Sequence, residues 1–212
     1  MEEEGMAKPS FPERVETERL LLRRYDGEDA AGILDLVYSD RDKLIREFSR
    51  LAGLQDLQEA QQFVQDKREQ WKAEKTFCYG IWRKEAPEQI GQIQVKNIAW
   101  DVPSAELGYF ICTARQRQGY ASESMRAISR LAFLELEFQR IFVRILPSNR
   151  ESIHLARKLG FHEVGVQRKA FRCGPGNCMT CSICPGPPRT TAITTAAQRD
   201  KTTNRIAYHP PH

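Results

Sequence analysis

The sequence predicts one mixed α/β domain built on a mostly antiparallel sheet. Three observations carry this. A chain of 212 residues is long enough for one well-buried core and short for two. Three β-rich runs follow one another between residues 76 and 112 with only turn residues between them, as in a meander of antiparallel neighbours. Stretches with apolar residues at three-to-four spacing precede and follow that meander, as amphipathic helices do. Composition fits a soluble globular protein, with 41% hydrophobic and 28% charged residues and a mean hydropathy of −0.56. No apolar run approaches the ~20 residues needed to span a bilayer, so no membrane role is expected. The 32 Lys and Arg against 28 Asp and Glu leave a net charge of only +4, interspersed and without the stripe that nucleic acid requires. Met1 is followed by Glu2, Glu3 and Glu4, not by a basic and apolar leader, so a cytoplasmic location is expected.

In chain order, residues 1–12 are acidic, then interrupted by proline, and read as a mobile arm. The run from Thr17 to Tyr25 reads as a first strand, stopped by Asp26 and Gly27 before a helix with apolar positions Ala30, Ile33, Leu34 and Val37. Residues 44–57 read as a loop of the kind that selects an acceptor. Leu57, Ala60, Val64 and Trp71 define a second helix within residues 56–75. Strands are expected at 76–83, 90–100 and 105–112, separated by Pro87 and by the turn around Pro103. After Gly119 a long helix is marked by Ala121, Met125, Ile128, Ala132 and Leu136 as far as Phe138. Residues 139–146 are β-rich. Ser148 and Glu151 have the spacing of a capping box for a helix carrying Ile153, Ala156 and Leu159, and Gly160 fits its left-handed end. A last strand runs from Phe161 to about Arg172.

The chemistry concentrates in one segment. The strand Glu106-Leu107-Gly108-Tyr109-Phe110-Ile111-Cys112 is followed by Thr113 and Ala114, by Arg115-Gln116-Arg117-Gln118-Gly119-Tyr120-Ala121, and by a helix. A glycine turn that opens a helix aims several unpaired N–H groups the same way, and the helix dipole adds positive potential, so an anion such as pyrophosphate is favoured there. Arg115 and Arg117 can add charge-assisted contacts. The plainer reading is a strand-to-helix turn with surface arginines.

The Glu-Leu-Gly-Tyr strand, the Gln116-x-x-Gly119-x-Ala121 turn, a following strand, the Asn149-x-x-Ser152 helix start and Lys158-Leu-Gly-Phe161 stand in an order that resembles the GNAT N-acetyltransferase superfamily. Within it they resemble the branch that acetylates N-termini of ribosomal proteins. The likeness runs from about Val15 to Arg172, with Glu18-Arg-Leu-Leu-Leu-Arg23 matching the opening strand. It implies a three-layer fold, with helices on both faces of a twisted sheet whose central strands splay and acetyl-CoA lying in the gap as co-substrate. Residues Gln116, Arg117, Gln118, Gly119, Tyr120 and Ala121 then form the pyrophosphate cradle. Phe110, Ile111, Cys112 and Thr113 give the strand edge that pairs with pantetheine, and Asn149 and Ser152 stand beside the sulfur. No metal is implied.

The implied reaction is direct attack of a primary amine on the thioester in a ternary complex, the acceptor being a protein N-terminus or a small-molecule amine. Glu106 is the candidate base, weighed evenly against a strand-face carboxylate paired with Lys or Arg. Backbone N–H groups of the splayed strand are candidate oxyanion donors, and Ser152 the candidate acid. Many relatives carry a tyrosine four positions after that serine, where this chain has Ala156. Glu123 reads as a helix residue suited to the dipole. Trp71, Trp82 and Trp100 read as core, and His154 and His162 lack metal-ligand spacing. The rival readings are a non-catalytic CoA-binding module and a cysteine-ligated metal protein.

Beyond Arg172 the likeness ends, and Cys173, Cys178, Cys181 and Cys184 crowd among Gly and Pro. Cys178-x-x-Cys181-x-x-Cys184 has thiolate spacing seen in cluster proteins. The favoured reading is a shifted frame. One base back, every cysteine becomes Val, Leu or Met, and the single Met179 codon makes Thr180 read as Asp. One permitted result from position 173 is Val-Arg-Ala-Gly-Glu-Leu-Tyr-Asp-Val-Phe-Tyr-Leu, a turn and then a β-rich strand. As printed, the sheet is expected to lack its final strand, with 173–212 a disordered tail. Nucleotide sequencing of the codons for residues 170–212 from independent template is expected to reveal a gained or lost base. An unbroken frame would remove this reading and leave the cysteine-rich tail as the product.

Overall fold

The computed structural model describes residues 10–86, 88–173 and 176–185. The chain runs β1 (Arg14–Glu16), β2 (Leu20–Arg24), a 3-10 turn, α1 (Ala30–Glu47), α2 (Ser49–Ala52), α3 (Leu57–Lys72), β3 (Thr76–Arg83), β4 (Gln89–Ala99) and β5 (Ser104–Ile111). A second 3-10 turn (Thr113–Arg115) leads to α4 (Tyr120–Leu134), β6 (Arg140–Ile145), α5 (Arg150–Lys158), β7 (Phe161–Cys173) and β8 (Gly176–Pro185). The sheet order is β1-β2-β3-β4-β5-β6-β8-β7. Every pairing is antiparallel except β5 with β6, which the α4 crossover makes parallel.

Strand β3 is buried along nearly its whole length, because helices cover both faces of the central sheet. Alternate residues then serve two cores. Phe77, Tyr79 and Ile81 join a cluster with Met125, Ile128 and Leu131 of α4, while Cys78 and Trp82 join Ile33 and Val37 of α1 and Phe63 and Val64 of α3. Trp71 meets Phe77 and Tyr79 edge-on, with ring centres 5.1 and 4.8 Å away. The mixed α/β architecture, the mostly antiparallel sheet and the splayed centre all follow expectation. The splay is explicit in the register: β5 and β6 pair only at Ser104↔Arg140, Ala105↔Ile141 and Glu106↔Phe142. From Val143 onward β6 pairs only with β8, on its opposite edge.

Several boundaries differ. Residues 10–12 are anchored: the Phe11 ring lies 4.7 Å from Phe77 and 5.7 Å from Phe138, and the Tyr79 hydroxyl donates to the Pro12 carbonyl at 2.7 Å. The rest of the expected mobile arm, residues 1–9, lies outside the described residues. The expected strand at 17–25 is shortened to β2, and a separate β1 precedes it, because Thr17 Oγ1 accepts from Leu20 N at 3.0 Å and turns the chain between them. The expected loop at 44–57 is largely helical, holding the end of α1 and all of α2. Helix α4 stops at Leu134. Leu136 and Phe138 are buried through a turn in which Glu137 takes a φ of 55°. The cap of α5 is Asn149, whose side chain accepts from Ser152 N, and not Ser148.

The expected missing strand is present as β8, between β6 and β7. Ladder pairing depends on the backbone, so the open edges of β6 and β7 accept an extended segment whatever its side chains. The expectation of disorder is thereby corrected for 176–185. Residues 186–212, and the side chains of the four tail cysteines, lie outside the description.

Gly91 is the tightest point between β4 and β5, since a Cβ there would stand 2.2 Å from the Phe110 carbonyl oxygen. Gly91→Ala is expected to cost about 1–3 kcal/mol through forced strand separation, read as a lower urea midpoint. A midpoint equal to wild type would contradict this close approach.

Candidate functional site

The site begins where β5 loses its partner. Cys112 N donates to Ile90 O at 2.8 Å, so strand alternation turns the backbone groups of Leu107, Tyr109 and Ile111 away from β4 and into the gap. Of the four edge residues expected from sequence, Ile111 faces the gap, although its carbonyl accepts from Gln116 Nε2 at 2.8 Å. Phe110 and Cys112 point their backbones at β4. Thr113 N donates to both oxygens of Asp40, at 3.1 and 3.0 Å. Leu107 and Tyr109, not singled out in the sequence, extend the gap-facing edge.

At the apex, Glu106 is 2% exposed. Its Oε2 accepts from Asn97 Nδ2 at 2.7 Å and from Arg144 at 2.9 and 2.7 Å, and Lys96 Nζ stands 3.4 Å from Oε1. This is the carboxylate paired with Lys and Arg that sequence weighed against a base. Further along the gap, Tyr109 donates its hydroxyl to Ser152 Oγ at 3.1 Å. Burial pushes the Tyr109 hydroxyl up to about 12, so it remains a donor at neutral pH. Asn149 Oδ1 accepts from Ser152 N at 3.0 Å, while its Nδ2 donates to Glu47 Oε1 at 2.6 Å.

Helix α1 kinks at Asp40, where φ is −130° and ψ 16°. The Asp40 carboxylate, 7% exposed, also accepts from Thr113 Oγ1. Beyond the kink, Lys43 Nζ donates to Gln116 Oε1 at 3.3 Å and Glu47 meets Asn149. Residues 40, 43 and 47 share one helix face by their spacing. That face is bonded in turn to the end of β5, the glycine turn and the start of α5.

The turn itself holds left-handed backbone at Arg117 (φ 61°) and Gly119 (φ 86°). Among the described residues, the N–H groups of Arg117, Gln118 and Gly119 meet no acceptor, and the first turn of α4 adds its own unpaired donors. Arg115 pairs with Glu88 and Arg117 with Glu151, each at 2.9 Å. Tyr120 is buried beneath Arg19, whose guanidinium stands 4.6 Å from the ring centre. Beside the turn an open groove includes Arg126, Arg130 and Lys158, basic residues that sequence did not single out because they are far apart in the chain. Glu123 is a structural anchor. It accepts from Thr17 Oγ1 at 2.6 Å, Arg19 N at 2.9 Å and Arg19 Nε at 2.8 Å, while Arg19 Nη1 donates to Gln118 O at 3.0 Å. Trp71 and Trp82 are core, and His154 and His162 are exposed.

The profile of the acetyltransferase (GNAT) domain family matches residues 19–162. "Uncharacterized N-acetyltransferase YoaA" of Bacillus subtilis is 28% identical over 155 residues, covering 73% of this chain and 86% of that protein. Among solved structures, a ribosomal-protein-S5-alanine acetyltransferase from Vibrio fischeri superposes with a TM-score of 0.71 at 18% identity, covering 81% of this chain and 94% of the other. RimL, a ribosomal-protein alpha-N-acetyltransferase solved in complex with coenzyme A, superposes with a TM-score of 0.75 at 19% identity over 81% of this chain and 97% of its own.

Burial raises the Glu123 carboxyl, but the bonds from Thr17 and Arg19 outweigh it and leave the group below its ordinary 4.5. A depressed folded value stabilises the fold above the unfolded carboxyl range, and that stabilisation is lost as pH falls through the folded value. Glu123→Gln is expected to cost about 1–3 kcal/mol at neutral pH. The difference in urea stability from wild type should shrink as pH falls below 4.5; a difference constant with pH would show that the charge at Glu123 is not what holds the turn.

Proposed function

The chain belongs to the acetyltransferase (GNAT) family, and from that premise we propose that residues 13–172 form an acetyl-CoA-dependent N-acetyltransferase acting on a primary amine by direct attack in a ternary complex. The observation that carries this reading is the opening of β5 from β6 just beyond Glu106, with the Tyr109–Ser152 hydrogen bond inside it. The unpaired N–H groups of the Gln116 to Ala121 turn at its mouth support an anion site there. No step needs a metal.

In this reading the pyrophosphate sits on the turn and the start of α4, where aligned donors and the dipole favour it. Arg115 and Arg117 exchange exposed carboxylate partners for phosphate oxygens, at small cost because exposed ion pairs are weak. The pantetheine arm pairs with the gap-facing groups of Leu107, Tyr109 and Ile111, and an N–H of that edge serves the tetrahedral oxyanion. Asn149 holds the first turn of α5 so that Ser152 faces the sulfur. Ser152 protonates the leaving thiolate and is resupplied by Tyr109, which fills the acid role that Ala156 leaves open. Glu106 serves the apex: with Arg144 and Lys96 it forms a buried charged knot that fixes where the strands part. Its Oε1 is the atom left for any proton-accepting role. Ribosomal-protein acetyltransferases among the structural neighbours favour a protein N-terminus over a small-molecule amine as the acceptor.

The test combines calorimetric titration with CoA and thiol release from acetyl-CoA in the presence of short peptides that differ only in their first residue. Saturable CoA binding and amine-dependent thiol release are expected. Ser152→Ala and Tyr109→Phe should each lower kcat by about 100-fold with CoA affinity unchanged. Failure of the wild-type chain to bind CoA would overturn the reading.

A further inference from the structure

The acetyl-transfer reading leaves open which group meets the incoming amine. An alkylamine arrives at neutral pH as an ammonium ion and must lose a proton before its nitrogen can attack. The apex of the gap is ill suited to receive it. Glu106 there is engaged on both oxygens, by Lys96 at 3.4 Å and by Arg144 at 2.7 Å. A carboxylate already held by Lys96, Arg144 and Asn97 is stabilised in its charged form and is a poor acceptor for a further proton.

A second carboxylate faces the same opening. Glu47 lines the gap together with Phe48, Tyr109 and Ser152. It is half-buried at the end of α1. Its Oε1 accepts from Asn149 Nδ2, and Oε2 meets no hydrogen-bond donor among the described residues. The Glu47 charge is close enough to Tyr109 to help raise its hydroxyl. Its placement is over-determined: the kink at Asp40 redirects the helix, and the Asp40–Thr113, Lys43–Gln116 and Glu47–Asn149 bonds tie one face of it across the gap.

We propose that Glu47 is the acceptor-side catalytic residue, binding the ammonium of a cationic primary amine through Oε2 and taking its proton. This rests on the acetyl-transfer reading above. The ammonium N–H bond breaks and its proton passes to the Glu47 carboxylate, thence to solvent. The freed lone pair forms the C–N bond to the thioester carbonyl. The tetrahedral intermediate collapses with cleavage of the C–S bond, and the thiolate takes the Ser152 proton. The second proton lost from nitrogen as the amide forms restores the Tyr109–Ser152 pair. Phe48, 5.4 Å from the Phe110 ring, walls the acceptor side with an apolar surface, so the acceptor class is an ammonium joined to a carbon chain, as at a peptide N-terminus.

The test uses two acceptors with the full chain and acetyl-CoA: the first-residue peptide mixture, cationic at pH 7, and an arylamine, which is neutral at that pH and needs no base before attack. Glu47→Gln keeps an oxygen for Asn149 and so preserves the bracing. It is expected to lower kcat/KM for the peptides by 100-fold or more, to leave the arylamine rate within about threefold, and to leave CoA affinity unchanged. Glu47→Asp should recover part of the peptide rate. Equal losses with both amines, or no loss with either, would overturn the proposal, as would a selective loss of the peptide rate in Glu106→Gln instead. A wild-type chain that neither binds CoA nor releases thiol would sink the acetyl-transfer reading itself, and this inference with it.

Discussion

The structure depends on one constraint: two neighbouring parallel strands that stop pairing after three residues. A ladder that ends in mid-strand leaves backbone donors and acceptors without partners, and such groups are costly away from water unless something bonds them. Strand β8 pairs with β6 on the edge away from β5 and leaves the gap side open. Beyond the last pair, Glu106↔Phe142, β5 has no strand partner along Tyr109, so the gap remains a polar slot in the sheet. An extended ligand with its own amides is the natural complement to that edge, much as an added strand completes a sheet. The Glu106–Arg144 pair sits at the point of divergence, joining β5 to β6 by side chains where backbone pairing ends.

Elements around the slot are tied to it by polar bonds as well as by apolar packing. Glu123 anchors the β1–β2 turn to α4, Asp40 anchors α1 to the end of β5, and Glu47 anchors the same helix to α5. Each is a carboxylate that accepts from a defined donor, so each fixes direction as well as proximity. Apolar contacts alone would let helices slide over the sheet by fractions of an ångström. Hydrogen-bonded carboxylates restrict that freedom, which matters for groups that must converge from α1, β5 and α5 on one small volume.

Local pattern made the scaffold legible. Strand β3 matches its expected bounds at both ends, because the run Phe77 to Trp82 carries no charged or amide side chain and is bracketed by Lys75, Thr76, Arg83 and Lys84. The end of α4 was misread because Leu136 and Phe138 continue the helical apolar pattern, yet reach the core through a turn. The strand at 17–25 was misread because Thr17 resembles a strand residue until its hydroxyl is seen to cap Leu20. Site partnerships are harder to read. Tyr109 and Ser152 are 43 positions apart, and Glu47 and Asn149 are 102 apart, and no periodicity reports a contact across such distances. The glycine turn was visible because its chemistry is local, whereas Asn149 and Ser152 were named through the family resemblance, the local pattern having pointed to Ser148 as the cap. The environment of Glu106 was not, since it is set by Asn97 and Arg144 on neighbouring strands.

The glycine turn between β5 and α4 is held in shape by contacts within the protein. Arg117 and Gly119 hold left-handed backbone, and the non-glycine member of that pair adopts a conformation that favours glycine. Something must compensate for it. Arg19 supplies part of the answer by bonding Gln118 O, covering Tyr120 and gripping Glu123 in one side chain. A Cβ on Gly119 would come within 3.2 Å of that guanidinium, so the glycine leaves room for the very contact that holds the turn. The conformational cost of aiming the turn's N–H groups outward is therefore met within the folded protein. In the acetyl-transfer reading, a phosphate at this turn meets Arg115 and Arg117 already paired with exposed carboxylates, partners whose loss costs little.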